Sequence, residues 1–297
     1  MGREDLPSTI DFDQRFFAVP EDLAGCFTAI TRLDIEVQSA DMAREHLQPE
    51  WGSVRFLDPA PEGVVSPKGE PFGPARSVAS GPSTGLSYYQ PSSVRMWAVG
   101  FLPLGWRRFM DADAADLANG LFDIEQHPAF AAFAPLADKL ANAPADDETQ
   151  YGIVIDHLLS IARPASEDDA RVKRAHAALM DAEINTASDF ADRAGVTKRT
   201  LERLCARYFG FPPVTLLRRQ RMMRSLTQYL LDEHVSWMGA IDASYHDQAH
   251  FVREFRGFVG LSPGEYAEQV GPVLRTMMRH RAAQLGQPAQ TLDPPES

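Results

Sequence analysis

An internal repeat in the carboxy-terminal half of the chain limits the fold more than any other sequence feature. An apolar-x-Arg triplet, a glycine and a proline occur in one segment and again fifty residues later. The repeated positions are Leu201, Arg203, Gly210 and Pro213 in the first copy and Phe251, Arg253, Gly260 and Pro263 in the second. Earlier in each copy, Ala191 and Gly195 match Ala240 and Ser244 at an offset of 49, which predicts a longer second turn by one residue. Such repeats mark a duplicated structural unit.

The first copy, residues 186–210, has the pattern of a short helix, a tight turn and a second helix. Thr186 with Asp189 three residues later is close to a capping box, and Gly195 permits the turn. Thr197 can cap the second helix. By the 3.6-residue period, that helix has an apolar face formed by Leu201, Leu204, Cys205 and Tyr208. The pattern is typical of a helix-turn-helix, whose second helix lies in a DNA major groove.

The opposite face of this second helix is basic. It is centred on Arg199, Arg203 and Ala206, and Glu202 and Arg207 flank it. Arginine can bind guanine O6 and N7, and glutamate can accept a hydrogen bond from cytosine N4. We therefore predict that this helix contacts DNA through Lys198, Arg199, Glu202, Arg203 and Arg207.

The second copy repeats the arrangement with an aromatic buried face. Its second helix is expected to bury Phe251, Phe255 and Phe258 and to begin at a cap formed by Asp247. Glutamine is a good reader of adenine, whereas a histidine at a helix start is as often a surface or capping residue. The predicted DNA contacts are Gln248, Ala249, His250, Arg253 and Arg256. Two units joined by a rigid helix could reach successive major-groove faces, about 34 Å apart on B-DNA.

The charge of the chain is unevenly distributed along its 297 residues. The net charge is −12, but residues 1–165 carry 12 Lys/Arg against 24 Asp/Glu, whereas residues 166–297 carry 17 of each. Residues 193–224 contain nine basic side chains and one acidic one, a local net charge of +8. A basic segment in an acidic protein is the expected footprint of a DNA-binding surface. The alternative is a solvated basic helix face.

The first 110 residues are β-rich. Short runs of Val, Ile, Phe and Tyr are separated by Pro-Gly clusters, which is typical of an antiparallel barrel or sandwich. The runs are FFAVP, CFTAITRLDIEV, GSVRFL, ARSVASG and SVRMWAVGFLPL. Aromatic side chains near the end of this region could line an apolar ligand pocket or simply fill the core. As ligand contacts we predict Tyr88, Trp97 and Trp106.

From residue 112 the apolar spacing becomes helical, and residues 163–169 read as a linker. The prediction is therefore an α+β protein of two domains. Residues 1–165 form a barrel-like or sandwich-like regulatory or dimerisation domain with closing helices. Residues 166–270 form an all-α domain with two helix-turn-helix units joined by a long helix. Residues 271–297 form a tail with one helix, VLRTMMRHRAAQL, and a Pro-rich, polar end that is expected to be disordered.

Several classes of protein are disfavoured. No run of about 18 apolar residues is present, and the N-terminus lacks the apolar core of a signal peptide. Cys26 and Cys205 cannot form a disulfide framework or a cysteine zinc site, which predicts a reduced cytoplasmic protein with no membrane contact. His46, His127 and His157 are scattered, unlike the ligands of a metal-bearing barrel. We expect no metal and no cofactor.

The carboxy-terminal motifs resemble those of the AraC/XylS family of bacterial transcription regulators. The carriers are A-x3-G-V-T-x-R-x-L-x-R in residues 191–203, G-F-P-P in residues 210–213 and R-M-x-x-S in residues 221–225. The second copy adds D-x-A-H-F-x-R-x-F in residues 247–255 and G-L-S-P-x-E-Y in residues 260–266. The resemblance implies binding of double-stranded DNA through both units, and many members activate transcription by contacting RNA polymerase.

Two departures from the family pattern lie in the second unit. Ser244 stands where the family usually has the glycine of the turn, and Gly239 stands where the family typically has an isoleucine in the helix core. Glycine inside a helix costs roughly 0.5–1 kcal/mol of helix stability relative to alanine. The second unit is therefore predicted to be less rigid than the first and to contribute less to base recognition.

Three hypotheses follow from the sequence. The first is a DNA-binding regulator, not an enzyme, that responds to a small-molecule effector through its amino-terminal domain. In the second, that domain only forms a homodimer. The third is a metal-dependent β-barrel enzyme fused to a DNA-binding domain.

Overall fold

The computed structural model of the protein describes residues 10–38, 44–232 and 235–295. Within these ranges the chain forms an amino-terminal β domain with closing helices, followed by an all-helical region. None of the helices is both long enough and apolar enough to cross a lipid bilayer, in the part of the chain so described. The division at residues 165 and 270 stays a prediction.

In the described part of the chain, ten strands form two antiparallel sheets. The larger sheet has six strands in the order β1-β2-β9-β4-β7-β10, and the smaller has the order β3-β8-β5-β6. The strands are β1 (Ile10–Phe17), β2 (Phe27–Val37), β3 (Glu45–Leu47), β4 (Ser53–Asp58), β5 (Val64–Val65), β6 (Pro71–Phe72), β7 (Ser77–Ser80), β8 (Ser87–Tyr89), β9 (Val94–Phe101) and β10 (Leu121–Asp123). The predicted antiparallel architecture is confirmed.

The five apolar runs of the sequence all overlap strands of the larger sheet, although FFAVP shares only residues 16 and 17 with β1. β2 pairs with both β1 and β9, and β4 pairs with β9 and β7. The smaller sheet consists of short strands of two or three residues, so its alternation is too brief to be read from the sequence. The last predicted strand is shorter than expected because Pro103 begins a helix, where a proline needs no hydrogen-bond donor.

Three helices close the amino-terminal domain. They are α1 (Pro103–Phe109), α2 (Ala134–Ala141) and α3 (Asp147–Ile161). The helical prediction from residue 112 onward is wrong for residues 112–133, which form turns, strand β10 and the 3-10 helix Pro128–Phe133. The strand forms there because residues 121–123 pair with residues 78–80 of β7, a long-range contact that helical periodicity does not reveal.

The carboxy-terminal region contains eight α-helices within the described ranges. They are α4 (Glu167–Met180), α5 (Ala187–Ala194), α6 (Lys198–Leu204), α7 (Pro213–Leu231), α8 (Trp237–Ala240), α9 (Gln248–Val259), α10 (Pro263–Gln269) and α11 (Pro272–Leu285). A π-helical turn, Cys205–Phe209, continues α6. Helices α5 and α6 form the first unit, α8 and α9 form the second, and α7 joins them as predicted.

The repeated glycines and prolines have the same structural role in both units. Gly210 and Gly260 end the second helix of each unit with φ of 86° and 80°. This left-handed conformation is one that a side chain rarely adopts. Pro213 and Pro263 begin the next helix, where the missing N–H has no cost. The repeat therefore encodes two equivalent stop-and-restart signals.

The first unit shares one hydrophobic core with the amino-terminal domain. Trp51 packs edge-on against Phe209 and His176, with ring centroids 5.7 and 5.5 Å apart, so this core crosses the predicted boundary. The second unit packs into a separate core with α7, α11 and Leu86. Each unit is thus attached to the β domain through a different surface.

The prediction that the end of the chain is disordered is wrong for residues 286–295. Thr291 and Asp293 are buried, and residues 290–292 form a 3-10 helix. The carbonyl of Thr291 accepts a hydrogen bond of 2.6 Å from Gln220 of α7, and Arg281 of α11 forms a bidentate ion pair with Asp293. The composition suggested disorder because the polar groups of this segment find their partners far away in the sequence.

Candidate DNA-binding surface and apolar cavity

The turn of the first unit is formed as the sequence predicts. Thr186 accepts a hydrogen bond from the backbone of Asp189, and Thr197 accepts one from the backbone of Thr200. Gly195 lies between them with φ of 67°, in the left-handed region. Phe190 and the alanines at 191 and 194 are buried beneath the turn. These contacts fix the start and direction of α6.

The outward face of α6 is exposed. The side chains of Lys198, Arg199, Glu202, Arg203 and Arg207 all lie on the surface, whereas Leu201, Leu204 and Cys205 are at most 1% exposed. Lys198, Arg199 and Arg203 form no ion pair with any other described residue, and Arg207 lies 3.7 Å from Asp113. The first unit therefore presents unpaired basic groups in a row. Cys205, which the sequence places on the apolar face, is completely buried.

The end of this recognition helix is attached to the amino-terminal domain. The backbone N–H groups of Ala114 and Ala115 donate to the carbonyls of Arg207 and Ala206, both at 2.9 Å. A β-carbon at Gly210 would lie only 2.8 Å from Pro82, so the two segments approach closely. The β domain thus determines where the basic face of α6 points.

The second unit has a shorter first helix and a longer turn. Helix α8 has four residues where α5 has eight, and the connection spans residues 241–247 where the first unit uses 195–197. The predicted difference of one residue is therefore too small. Asp242 accepts hydrogen bonds from the backbone and side chain of Ser244. Ser244 does not adopt the left-handed conformation of Gly195, so a side chain replaces the glycine in holding this turn.

The outward face of α9 is less strongly basic. Gln248, Ala249 and Arg253 are exposed, whereas Arg256 lies 3.3 Å from Glu265. His250 is half-buried, and its Nε2 atom lies 3.9 Å from the carboxylate of Glu254. The structure thus brings the predicted residues of each unit together on one helix face. Their contacts with DNA stay a prediction.

The arginines of α7 are all engaged in contacts within the protein, although Arg218 is exposed. Arg218 and Arg221 pair with Glu254 at 2.7 and 3.1 Å, and Arg224 pairs with Asp242. Arg219, the remaining arginine of this helix, is buried. Four of the nine basic residues between positions 193 and 224 are therefore engaged within the protein. The basic surface predicted from the sequence is therefore reduced to the row on α6. Spacing along a chain does not show which basic side chains are paired with acidic ones.

Glu254 is the centre of this cluster. Burial alone would raise its pKa, but hydrogen bonds from Arg218 and Tyr245 and the charge of Arg221 hold the pKa below its usual value. The repeat places Glu254 at the position of Leu204 in the first unit. A carboxylate at a position that is otherwise apolar was a signal of this cluster, and the sequence analysis missed it.

Arg219 is completely buried between the domains. Its guanidinium lies 4.0 Å from the ring centroid of Trp51, and one of its nitrogens donates to the carbonyl of Ser83 at 3.1 Å. Burial lowers the pKa of Arg219 to about 9. A cation–π contact of this kind ties the linking helix to the β domain.

An apolar cavity of about 240 Å³ lies between the β domain and α11. Tyr88 lines it, as predicted for a ligand contact, together with Tyr89, Met96 and Ala98. Trp97 and Trp106 do not line it and belong to the core instead. The reason for Trp97 is the alternation of side chains along a strand: Met96 and Ala98 face the cavity, so Trp97 faces the opposite side, where its indole donates to Gln150 at 2.7 Å.

The three histidines of the amino-terminal domain occupy separate places. His46 packs against Tyr266 of the second unit, His127 packs on Phe122, and His157 contacts the carbonyl of Ala132. In the described ranges, no three His, Cys, Asp or Glu side chains are grouped in a way that could hold a metal ion.

Residues 190–269, which contain both units, match the family model of a helix-turn-helix domain. This region is an AraC-type helix-turn-helix domain. It contains α6 and α9, so the two exposed rows described above belong to the second helices of this AraC-type domain. No curated protein sequence matches the chain.

Solved structures of ToxT from Vibrio cholerae are similar to the chain. A 1.65 Å structure of ToxT is 10% identical with a TM-score of 0.45, and the match covers 87% of this chain and 98% of ToxT. The structure of ToxT from Vibrio cholerae O395 is 10% identical with a TM-score of 0.40, over 89% and 99%. Wild-type ToxT bound to an unsaturated fatty acid is 10% identical with a TM-score of 0.39, over 89% and 96%.

Proposed function

We propose that this protein is a sequence-specific transcription regulator that binds double-stranded DNA through both units of its AraC-type domain and responds to a small molecule in its β domain. The observation that carries the proposal is the exposed row of unpaired basic side chains on α6, inside a domain of this type. Positive groups on a helix that is anchored on its other face can reach both phosphates and base edges.

The base readers that we propose differ between the units. In the first unit Arg199, Glu202 and Arg203 contact bases, and Lys198 and Arg207 contact the backbone. In the second unit Gln248, Ala249, His250 and Arg253 face the groove. Arg256 already lies beside Glu265, so it contributes less.

The apolar cavity supports the regulatory part of the proposal. Pockets for small molecules are concave and mostly apolar with a few polar groups, and this cavity has that character. The hydrogen bonds from residues 114 and 115 to residues 207 and 206, in the π-helical turn that continues α6, provide a physical link between the β domain and the DNA-binding surface. The proposal also includes a homodimer, contact with RNA polymerase and action in the cytoplasm, where the DNA lies.

The test is selection of bound sequences from a random DNA pool, followed by a shift assay at several salt concentrations. A sequence preference is expected, together with half-sites whose spacing reports the number of subunits. Arg203→Ala should weaken binding by about 1–3 kcal/mol and relax the preference at one base pair. The control is Arg193→Ala, because Arg193 is exposed on the first helix and paired with Asp181. Equal affinity for every sequence would contradict the proposal.

A further inference from the structure

The cavity is built from three parts of the chain that are far apart in sequence. Alternate residues of β2 and β9, such as Leu33 and Met96, form one wall, and the smaller sheet forms the second with Tyr88. The third wall is α11 and the segment that follows it. Helix α11 contributes Val273, Leu274, Met277, Met278 and Arg281, and residues 288–290 contribute the remainder of this wall. Those of α11 recur at three- and four-residue spacing, so they share one face of the helix.

Three described side chains that line the cavity carry a full charge: Glu50, Arg55 and Arg281. Arg55 pairs with Glu50 at 2.6 Å, and the second carboxylate oxygen of Glu50 accepts from Ser80 at 2.6 Å. Both partners are largely buried. This pair contributes no net charge, and neither oxygen of Glu50 is without a partner.

The charge of Arg281 is also neutralised. Its two terminal nitrogens donate to the two oxygens of Asp293 at 3.0 and 2.6 Å. The same nitrogens donate to the carbonyls of Gln287 and Thr28 at 2.6 and 3.2 Å. Arg44, which lies near Tyr88, is exposed to solvent. Among the residues that the structure describes, the cavity lining therefore offers no unpaired cation to an acidic ligand.

From this balance of charges we propose that the cavity binds an uncharged, largely apolar molecule of about ten carbon atoms and excludes the corresponding carboxylate. The size follows from comparison, because an apolar cavity of about 150 Å³ accommodates benzene. An ionised carboxylate would lose its hydration without gaining a free cation, and this desolvation is costly. A hydroxyl group needs only one hydrogen-bond partner, and Gln290 and Thr28 lie at the cavity wall.

This inference rests on the proposed function only in taking the cavity as the effector site. It is tested by calorimetric titration of the full chain with 1-decanol and with decanoate at pH 8. That pH lies above the pKa of about 6 to which burial raises Asp293, so the Arg281–Asp293 pair is neutral overall. We expect 1-decanol to bind at least about tenfold more tightly than decanoate. Equal or tighter binding of decanoate, or no binding of either probe, would overturn the proposal.

Two variants show whether binding occurs in this cavity and depends on its charges. Ala98→Phe fills the space from β9 and is expected to abolish binding of 1-decanol. Glu50→Gln leaves the charge of Arg55 uncompensated, so the affinity for decanoate should rise about tenfold while that for 1-decanol changes little. An unchanged preference in a folded Glu50→Gln protein would contradict the charge argument.

If Glu50→Gln does not fold, Asp293→Asn provides the same test with Arg281, and a preference unchanged in that variant is equally contrary to the proposal. A DNA shift assay on the same samples without ligand separates the two proposals. Loss of sequence-specific DNA binding would contradict the proposed function alone. Failure of 1-decanol to bind would contradict the ligand class alone.

Discussion

The first and second helix-turn-helix units have the same repeat but are held together in different ways. The first has an eight-residue α5, a left-handed glycine at 195 and a buried Leu204. The second has a four-residue α8, a turn held by Asp242 and a buried Glu254 at the position of Leu204. Burying a carboxylate requires cations around it, and α7 provides them. The replacement of a leucine by Glu254 in the second copy of the repeat thus gives the neighbouring arginines of α7 an ion-pair partner within the protein.

The two units also differ in how they meet the β domain. The first is joined by backbone hydrogen bonds and a shared core around Trp51. The second meets strand β3, where Tyr266 packs 4.9 Å from the ring of His46 and Gln48 lies near its hydroxyl. Duplicated units therefore need not be equivalent once each has its own neighbours.

The largest expected effect comes from the charge of Glu254. Glu254→Gln removes the carboxylate that pairs with the exposed Arg218 and with the largely buried Arg221. Loss of one partner of a buried pair costs about 3 kcal/mol or more. The free energy of unfolding in urea measures this loss. The matched variant Glu202→Gln, on the exposed face of α6, should change stability by less than about 0.5 kcal/mol. Similar effects of both substitutions would remove the difference between the units.

Acidification tests the buried histidine beneath each unit. Burial lowers the pKa of His46, beside the second unit, to about 4, and that of His176, beside the first unit, to about 3. Both stay neutral in the folded protein, whereas the unfolded chain takes up protons below about pH 6.5. Their contribution to stability is therefore complete above that pH and decreases as the pH falls toward 4. Each should cost about 2 kcal/mol between roughly pH 6.5 and 5.

Urea unfolding at pH 7 and pH 5 checks this expectation. His46→Gln and His176→Gln should each reduce the loss of unfolding free energy on acidification by about 2 kcal/mol, the contribution expected of one histidine. If only one variant does so, only that interface is sensitive to acid, and the two units differ in this property as well.

The comparison of base readers predicts a moderate difference in DNA affinity. Arg203→Ala is expected to cost about 1–3 kcal/mol, as for a bidentate contact to guanine. Arg253→Ala should cost roughly half as much, because the second unit is the weaker reader. Shift assays with the selected DNA measure both variants. A larger effect of Arg253→Ala would reverse the proposed ranking of the units.

The smallest effects come from two glycines and have opposite signs. Gly195→Ala places a side chain at φ of 67° and should destabilise the first unit by about 1 kcal/mol. Gly257→Ala in the last turn of α9 meets no atom within 4 Å and should stabilise the second unit by up to about 0.5–1 kcal/mol. Thermal melting compares them. Destabilisation by both would show that α9 tolerates no added side chain at position 257.

Much of the DNA-binding domain was predictable because its determinants are local. Caps, turn glycine and apolar spacing lie close together along the chain, as at Thr186, Gly195 and Thr197. The cavity was predictable only in part. Tyr88 was found, but the strand alternation that turns Trp97 away depends on which face of the sheet is covered.

The sequence alone determined the two units, their exposed basic rows and the β-rich amino-terminal half, since periodicity and capping act over a few residues. The tertiary structure decided which charges are free. Glu254 captures Arg218 and Arg221, Asp293 captures Arg281, and Arg219 is buried against Trp51. It also decided that the end of the chain packs as a wall of the cavity. These pairings join residues brought together only by folding, and the energy of a charge depends on its neighbours and its burial, which local sequence does not specify.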